Sequence, residues 1–164
     1  MNPICNGLRV AALVLLVALS GAADAAAERT FERDSYAQIR ASHAGRPLVV
    51  HLWGMTCGPC LVELPQWGAL LRKRPQLPLV LIQVDPSAPA ARAQRLAAAG
   101  LSRAENWSSA SEFDEFLRAS IDPAWPGDMP RTLLISPSGE VKTIRGAAKL
   151  AEVEQWLEGV GAGR

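Results

Sequence analysis

Three cysteines in 164 residues are too few to staple a small scaffold with disulfides, so the core has to be hydrophobic. Charge of one sign is lacking as well. The chain carries 17 basic against 16 acidic residues, a formal net charge of +1, without the basic excess of a nucleic-acid binder. No block of like charges forms an electrostatic tail. Glycine and proline, 13 and 12 residues, fall short of the low-complexity range, which sets aside collagen-like and extended disordered chains. The strongly apolar run Val10–Leu19 is well below the ~20 residues of a membrane-spanning helix. What remains is one globular domain, 49% hydrophobic and 20% charged.

The N-terminus has the layout of a secretory signal peptide: one basic residue (Arg9), the apolar run, then small residues. Ala-x-Ala sites end at Ala25 and Ala27. Cleavage after Ala27 is preferred, which makes residues 1–27 a leader and residues 28–164 the mature domain. An uncleaved N-terminal anchor is the alternative. Cys5 precedes the apolar run, the wrong place for a lipoprotein cysteine, and leaves with the leader. The mature domain then keeps Cys57 and Cys60 and works in the periplasm, where thiols tend to be oxidised.

Periodicity organises that domain. Asp34–Ser42 is spaced as a short helix, stopped at His43-Ala44-Gly45. Leu48–Trp53 reads as a buried strand, short and rich in branched residues. Leu61–Arg74 has helical apolar spacing through Leu61, Leu64, Trp67, Leu70 and Leu71, with Pro65 expected to kink it. Leu77–Val84 is a second buried strand, and Ala88–Ala99 an alanine-rich helix closed by Gly100. Trp107–Ser111 is a short extended piece, with Ser111 capping a helix over 112–120. Asp122–Pro130 is a loop by its prolines and glycine. Thr132–Ser136 and Glu140–Ile144 form a hairpin around Pro137-Ser138-Gly139, and Lys149–Glu158 is a last amphipathic helix. The order predicts an α/β fold, a mixed central sheet with helices on both faces. Trp67, Trp156 and Phe116 fall at helical core spacing and are assigned to packing. Trp125 fits either the core or the floor of a partner-binding surface.

Cys57-Gly58-Pro59-Cys60 stands between a buried strand and a helix. A thiolate at a helix N-terminus is stabilised by unpaired backbone N–H groups and the helix dipole, so Cys57 becomes a nucleophile near neutral pH. Cys60, one turn later on the same side, can attack the mixed disulfide and release the partner. Zinc wants four ligands at characteristic spacings, and His43 and His51 both precede the pair. Soft thiolates also suit Cu(I), which leaves a non-catalytic Cu(I)- or partner-binding module as the alternative. No His follows Cys60, as dedicated copper delivery of the Sco type needs. Peroxiredoxin chemistry fails on the spacing of Thr56.

From this motif outward the chain resembles the thioredoxin superfamily. Leu52-Trp53-Gly54-Met55-Thr56-Cys57-Gly58-Pro59-Cys60 matches the aromatic-Trp-Ala-x-Trp-Cys-x-x-Cys segment. Cys60-Leu61-Val62-Glu63-Leu64-Pro65 looks like the Cys-x-x-Glu-x-Pro of exported TlpA/ResA-like thiol-disulfide oxidoreductases. Met129-Pro130-Arg131-Thr132 resembles the cis-proline loop, and Leu133–Gly139 the closing hairpin. The resemblance implies a thioredoxin-like fold with a TlpA-type helical insertion before the cis-proline loop. It implies a thiol-disulfide oxidoreductase, a reductase by its Gly-Pro spacer, with no bound cofactor and no metal. Its partners would be protein thiols and disulfides (apocytochrome c or a copper-site protein), with a membrane electron donor. Pro130 would lie against the nucleophilic sulfur, and Met129 would offer backbone groups to a bound peptide. Thr56, His51 and Arg131 depart from the family pattern, each bearing on partner choice or redox tuning.

Resolution by Cys60 requires its proton to leave. His51 shares a strand face with Val49 and Trp53, and one helical turn brings Glu63 beside Cys60. A carboxyl in a partly apolar site has a raised pKa. Glu63 is therefore expected to be the main proton mediator, and His51 a secondary or structural one. The plainer alternatives are a solvated helix charge and a packed, hydrogen-bonded histidine.

Overall fold

Strand β2 (Leu48–Trp53) is buried at every position, so alternation sends its side chains into two different cores. The computed structural model describes residues 27–161 except 110; the leader expected over residues 1–27 lies, apart from Ala27, outside the described residues. In chain order the other elements are β1 (Arg29–Phe31), α1 (Ser35–Ser42), α2 (Gly58–Lys73), β3 (Leu79–Gln83), α3 (Pro89–Ala99), β4 (Glu105–Ser109), α4 (Glu115–Ile121), β5 (Arg131–Ile135), β6 (Val141–Arg145) and α5 (Leu150–Gly161).

The strands form one 6-stranded sheet in the order β1-β4-β3-β2-β5-β6. The β1–β4, β4–β3 and β3–β2 pairs are parallel, whereas β2–β5 and β5–β6 are antiparallel. This is the mixed sheet expected from the sequence. On one face Val49, Trp53, Leu79, Leu81 and Leu134 pack with Cys60, Leu64 and Trp67 of α2, Leu96 of α3 and Val153 of α5. On the other, Val50, Leu52, Val80, Ile82 and Leu133 pack with Tyr36 and Ile39 of α1 and Ile121 of α4. Each fully buried side chain of this kind contributes about 1.5–3 kcal/mol. Among the described residues no helix is long and apolar enough to cross a membrane.

Several expectations shift. Strand β1 has three residues, with Phe31 the one buried, too short to show a period. The piece read as Trp107–Ser111 is β4, an interior strand paired on both sides, and its Asn106, Ser108 and Ser109 are buried. Polar residues at buried positions hid it. Asp114, not Ser111, caps α4: its Oδ1 accepts from Leu117 N–H at 2.9 Å. That later start places Phe116 in the first turn with 66% exposure, its ring 5.2 Å from the Arg33 guanidinium, so Phe116 is not a core residue. Trp67 is fully buried and Trp156 half-buried against the same cluster. Helix α2 begins three residues earlier than its apolar spacing and runs unbroken through Pro65. Close packing of α2 on α3 depends on Gly68, where a Cβ would lie 1.7 Å from the Ala99 carbonyl oxygen.

Candidate active site

The C-terminal end of β2 feeds directly into the turn that starts α2, and both cysteines sit there. Cys57 is the N-cap residue, in extended conformation at φ −90° and ψ 99°, and its Sγ accepts from Cys60 N–H at 3.2 Å. Gly58 and Pro59 open the helix, and Pro59 fits because a first-turn residue has no intrahelical N–H partner to lose. Cys57 and Cys60 are joined in a disulfide, with Sγ–Sγ 2.02 Å and Cα–Cα 5.2 Å. Cys60 is fully buried and Cys57 is partly open to solvent. One sulfur can therefore be approached from outside while the other is shielded.

Behind the disulfide, Glu63 and His51 are both buried, 1% and 0% exposed. Glu63 Oε1 accepts from Trp67 Nε1–H at 3.0 Å and from Ala148 N–H at 2.9 Å. His51 Nδ1 is 3.0 Å from Thr132 Oγ1, and its ring is 5.0 Å from Trp67. The remaining atoms, His51 Nε2 and Glu63 Oε2, have no hydrogen-bond partner and lie 3.9 Å apart. Burial depresses His51 to about 3, so its imidazole is neutral at ordinary pH. Burial raises the Glu63 carboxyl, against the opposing pull of the Ala148 and Trp67 hydrogen bonds.

The loop before β5 closes the other side. The Met129–Pro130 peptide is cis. Pro130 is buried, its carbonyl accepting from Gly146 N–H at 2.9 Å, and Met129 packs half-buried against the cluster that also meets Cys57. Trp125 is a core residue, 5% exposed, with Nε1–H donating to the Asp128 carbonyl at 3.0 Å. Arg131, 5% exposed, spans the loop by pairing with Asp122 at 2.6 Å and Asp128 at 3.1 Å. The sequence marked Arg131 as unusual without signalling this bracket.

The six sequence-selected residues thus fall into three placements: the Cys57–Cys60 disulfide, the Glu63–His51 pair behind it, and the Met129–Pro130 turn. Sequence reasoning missed Thr132, the donor role of Trp67, and Asp85. Asp85 accepts from Met55 N–H and Thr56 N–H at 2.7 Å each, fixing the two residues before Cys57. Its position just past the end of a parallel strand was the available signal. Among the described residues no group of three or more His, Cys, Asp or Glu side chains could hold a metal ion.

No family model and no curated protein matches the sequence. Solved structures do match. A secreted Mycobacterium tuberculosis disulfide oxidoreductase homologous to Escherichia coli DsbE superposes with a TM-score of 0.57 at 21% identity, covering 74% of this chain and 85% of that one. A thiol:disulfide interchange protein of the thioredoxin family from Chlorobium tepidum gives 0.58 at 21% identity, covering 74% and 83%. StoA from Bacillus subtilis gives 0.54 at 20% identity, covering 69% and 83%. The fold is thioredoxin-like. In thioredoxin-like terms, the disulfide-bearing turn after β2 and the cis-proline turn before β5 are the two ends of neighbouring strands, paired through Leu52 and Arg131.

Proposed function

We propose that the protein is an exported thiol-disulfide oxidoreductase that reduces disulfides of protein partners in the periplasm. The observation that carries this reading is the asymmetric disulfide: Cys57 partly exposed at the N-cap of α2, Cys60 fully buried one turn later. Two of the similar structures, one described as a disulfide oxidoreductase and one as a thiol:disulfide interchange protein, and the leader read in residues 1–27, support it.

In the dithiol form, the Cys57 thiolate attacks one sulfur of a partner disulfide. That S–S bond breaks, a Cys57–partner bond forms, and the partner's other sulfur leaves as a thiolate that takes up a proton. Cys60, having given up its proton, attacks Cys57 Sγ. The mixed disulfide breaks, the partner's second thiol departs, and Cys57–Cys60 re-forms. Two electrons have passed from this chain to the partner. An external dithiol donor, supplied from the membrane in this location, restores the starting state. Glu63 is the proton mediator for Cys60, and His51 supports it. Met129 and Pro130 seat the partner's backbone beside Cys57. The extra helical segment of the TlpA/ResA-like branch lies between β3 and the cis-proline turn.

The test is partner trapping in cells with Cys60→Ser, which leaves the mixed disulfide at Cys57 unresolved. The expected result is a set of exported proteins linked to Cys57 and released by reductant, with no such species from the Cys57→Ser, Cys60→Ser double variant. Catalysed disulfide reduction persisting in the double variant, or tight stoichiometric Cu(I) binding by the wild type without any exchange, overturns the reading.

A further inference from the structure

A second polar assembly reaches the nucleophile's loop from α3, outside the groups used above. The Asp85 carboxylate takes Met55 N–H and Gln83 Nε2–H on Oδ1, each at 2.7 Å. Its Oδ2 takes Thr56 N–H at 2.7 Å and Thr56 Oγ1–H at 2.8 Å. Gly54 permits this approach, since a Cβ there would sit 3.0 Å from Asp85 Oδ2. On its far side Gln83 offers Oε1 to Arg92 Nη1–H at 3.2 Å. Arg92 is 6% exposed, donates further to Ser87 Oγ at 3.1 Å, and forms an ion pair with Glu28, whose Oε1 accepts from Ser108 Oγ–H at 2.6 Å.

The geometry points to Arg92 as a positioning residue for the Cys57 loop, acting through Gln83 and Asp85. A guanidinium only donates and a carboxylate only accepts, so Gln83 between them has one workable orientation: oxygen toward Arg92, nitrogen toward Asp85. Remove the guanidinium and Gln83 Oε1 loses its buried cationic donor, so the amide is held only through its nitrogen on Asp85 and through Ser87, and its grip on the carboxylate loosens. Asp85 in turn is what holds the backbone of Met55 and Thr56, the residues leading into Cys57. Because Glu28 balances the Arg92 charge, what passes to the loop is hydrogen-bond order rather than an electric field. On this proposal the order is tighter in the disulfide form, the form the structure shows, than in the dithiol, so that breaking it weakens the disulfide relative to the dithiol.

This role rests on the dithiol reading above, but its test does not require a protein partner. The equilibrium of the Cys57–Cys60 pair with a glutathione buffer is measured for the full chain as wild type, Arg92→Met, Arg92→Lys and Gln83→Leu, with melting temperatures alongside. Gln83→Leu keeps both charges and removes only the relay. The expected result is a shift of about threefold toward the dithiol in Arg92→Met and Gln83→Leu, ~15 mV for this two-electron couple. Arg92→Lys, which restores a donor, returns most of it. An Arg92→Met or Gln83→Leu variant with the wild-type equilibrium overturns the proposal, whatever its melting temperature, and Arg92→Lys, with its smaller shift, stands in for Arg92→Met if the latter does not fold. A wild type that equilibrates with glutathione but exchanges with no protein disulfide overturns the functional reading alone.

Discussion

His51 Nε2 and Glu63 Oε2 face each other across 3.9 Å, both buried and both without another hydrogen-bond partner. The distance is beyond a hydrogen bond, and an ion pair is the wrong description. His51 is depressed to about 3 by burial, and burial raises Glu63. His51 is therefore neutral at ordinary pH, while burial works against the Glu63 charge. In the tautomer whose Nδ1–H donates to Thr132, Nε2 is left as an acceptor, and Glu63 can donate to it only when its carboxyl holds a proton. In that state a single proton serves both orphaned atoms.

Replacing Glu63 by Gln keeps the shape and the donor toward Nε2 but removes the exchangeable proton. Exchange by the dithiol should slow several-fold, less than the ~10²-fold low end for full acid–base assistance, and the cysteine titration should shift. The domain should stay folded, since Trp67 and Ala148 still find an oxygen. Thiol alkylation across pH, with circular dichroism as the folding check, reads both. An unchanged titration here, with an altered one in a His51 variant, reverses the two roles.

Gly68→Ala tests the contact between α2 and α3. Alanine gains about 1 kcal/mol of helix propensity over glycine. Against this, its Cβ would meet the Ala99 carbonyl oxygen at 1.7 Å, and backbone atoms must move apart. The clash dominates, with a net loss of about 2 kcal/mol or more. Urea denaturation measures it. A variant as stable as the wild type shows that the helices separate without strain.

Asp114→Ala should lose about 1 kcal/mol, because Asp114 Oδ1 satisfies the Leu117 N–H at the start of α4. Asp114→Ser should retain most of that stability, and Ser111→Ala should change nothing measurable. Equal losses at positions 111 and 114 argue for a longer helix in solution.

The parts of this molecule that were legible in the sequence share a physical cause. Leu48–Trp53 and Leu79–Gln83 are apolar but for His51 and Gln83, because central strands buried on both faces have little polar side to show. The cysteine pair announced itself by spacing and by following such a strand. Strand β4 failed the same reading because Asn106, Ser108 and Ser109 are buried polar residues, with Ser108 answering Glu28 from a distant part of the chain. Phe116 failed because a seven-residue helix has too few positions to fix its phase when its start is misplaced. At the site, Glu63 and His51 were visible one by one. Their partners Thr132 and Ala148 were not, since each is more than eighty residues away and only the fold brings it near.

The pH dependence of stability isolates His51. Its folded pKa of about 3 lies below the ordinary value of 6.5, so between those values the unfolded chain binds a proton that the native state refuses. Stability from this group is complete above pH 6.5 and is lost as pH falls toward 3, with a slope approaching ~1.4 kcal/mol per pH unit. Glu63 acts with the opposite sign, because a raised carboxyl binds more protons in the native state and stabilises at low pH. Asp85 and Asp128, lowered from 3.8, and Glu28 and Glu154, lowered from 4.5, also lose stability in acid, but below the interval from pH 6.5 to 5 in which His51 is compared. His51→Asn gives up the ring packed 5.0 Å from Trp67 and should be less stable at pH 7.5 by about 2–3 kcal/mol. From pH 6.5 down to 5 its stability should hold nearly level while that of the wild type falls, so the gap between them narrows. Guanidinium unfolding at half-unit pH steps measures both slopes. Parallel slopes in the two proteins sink the assignment and place the acid-sensitive group elsewhere.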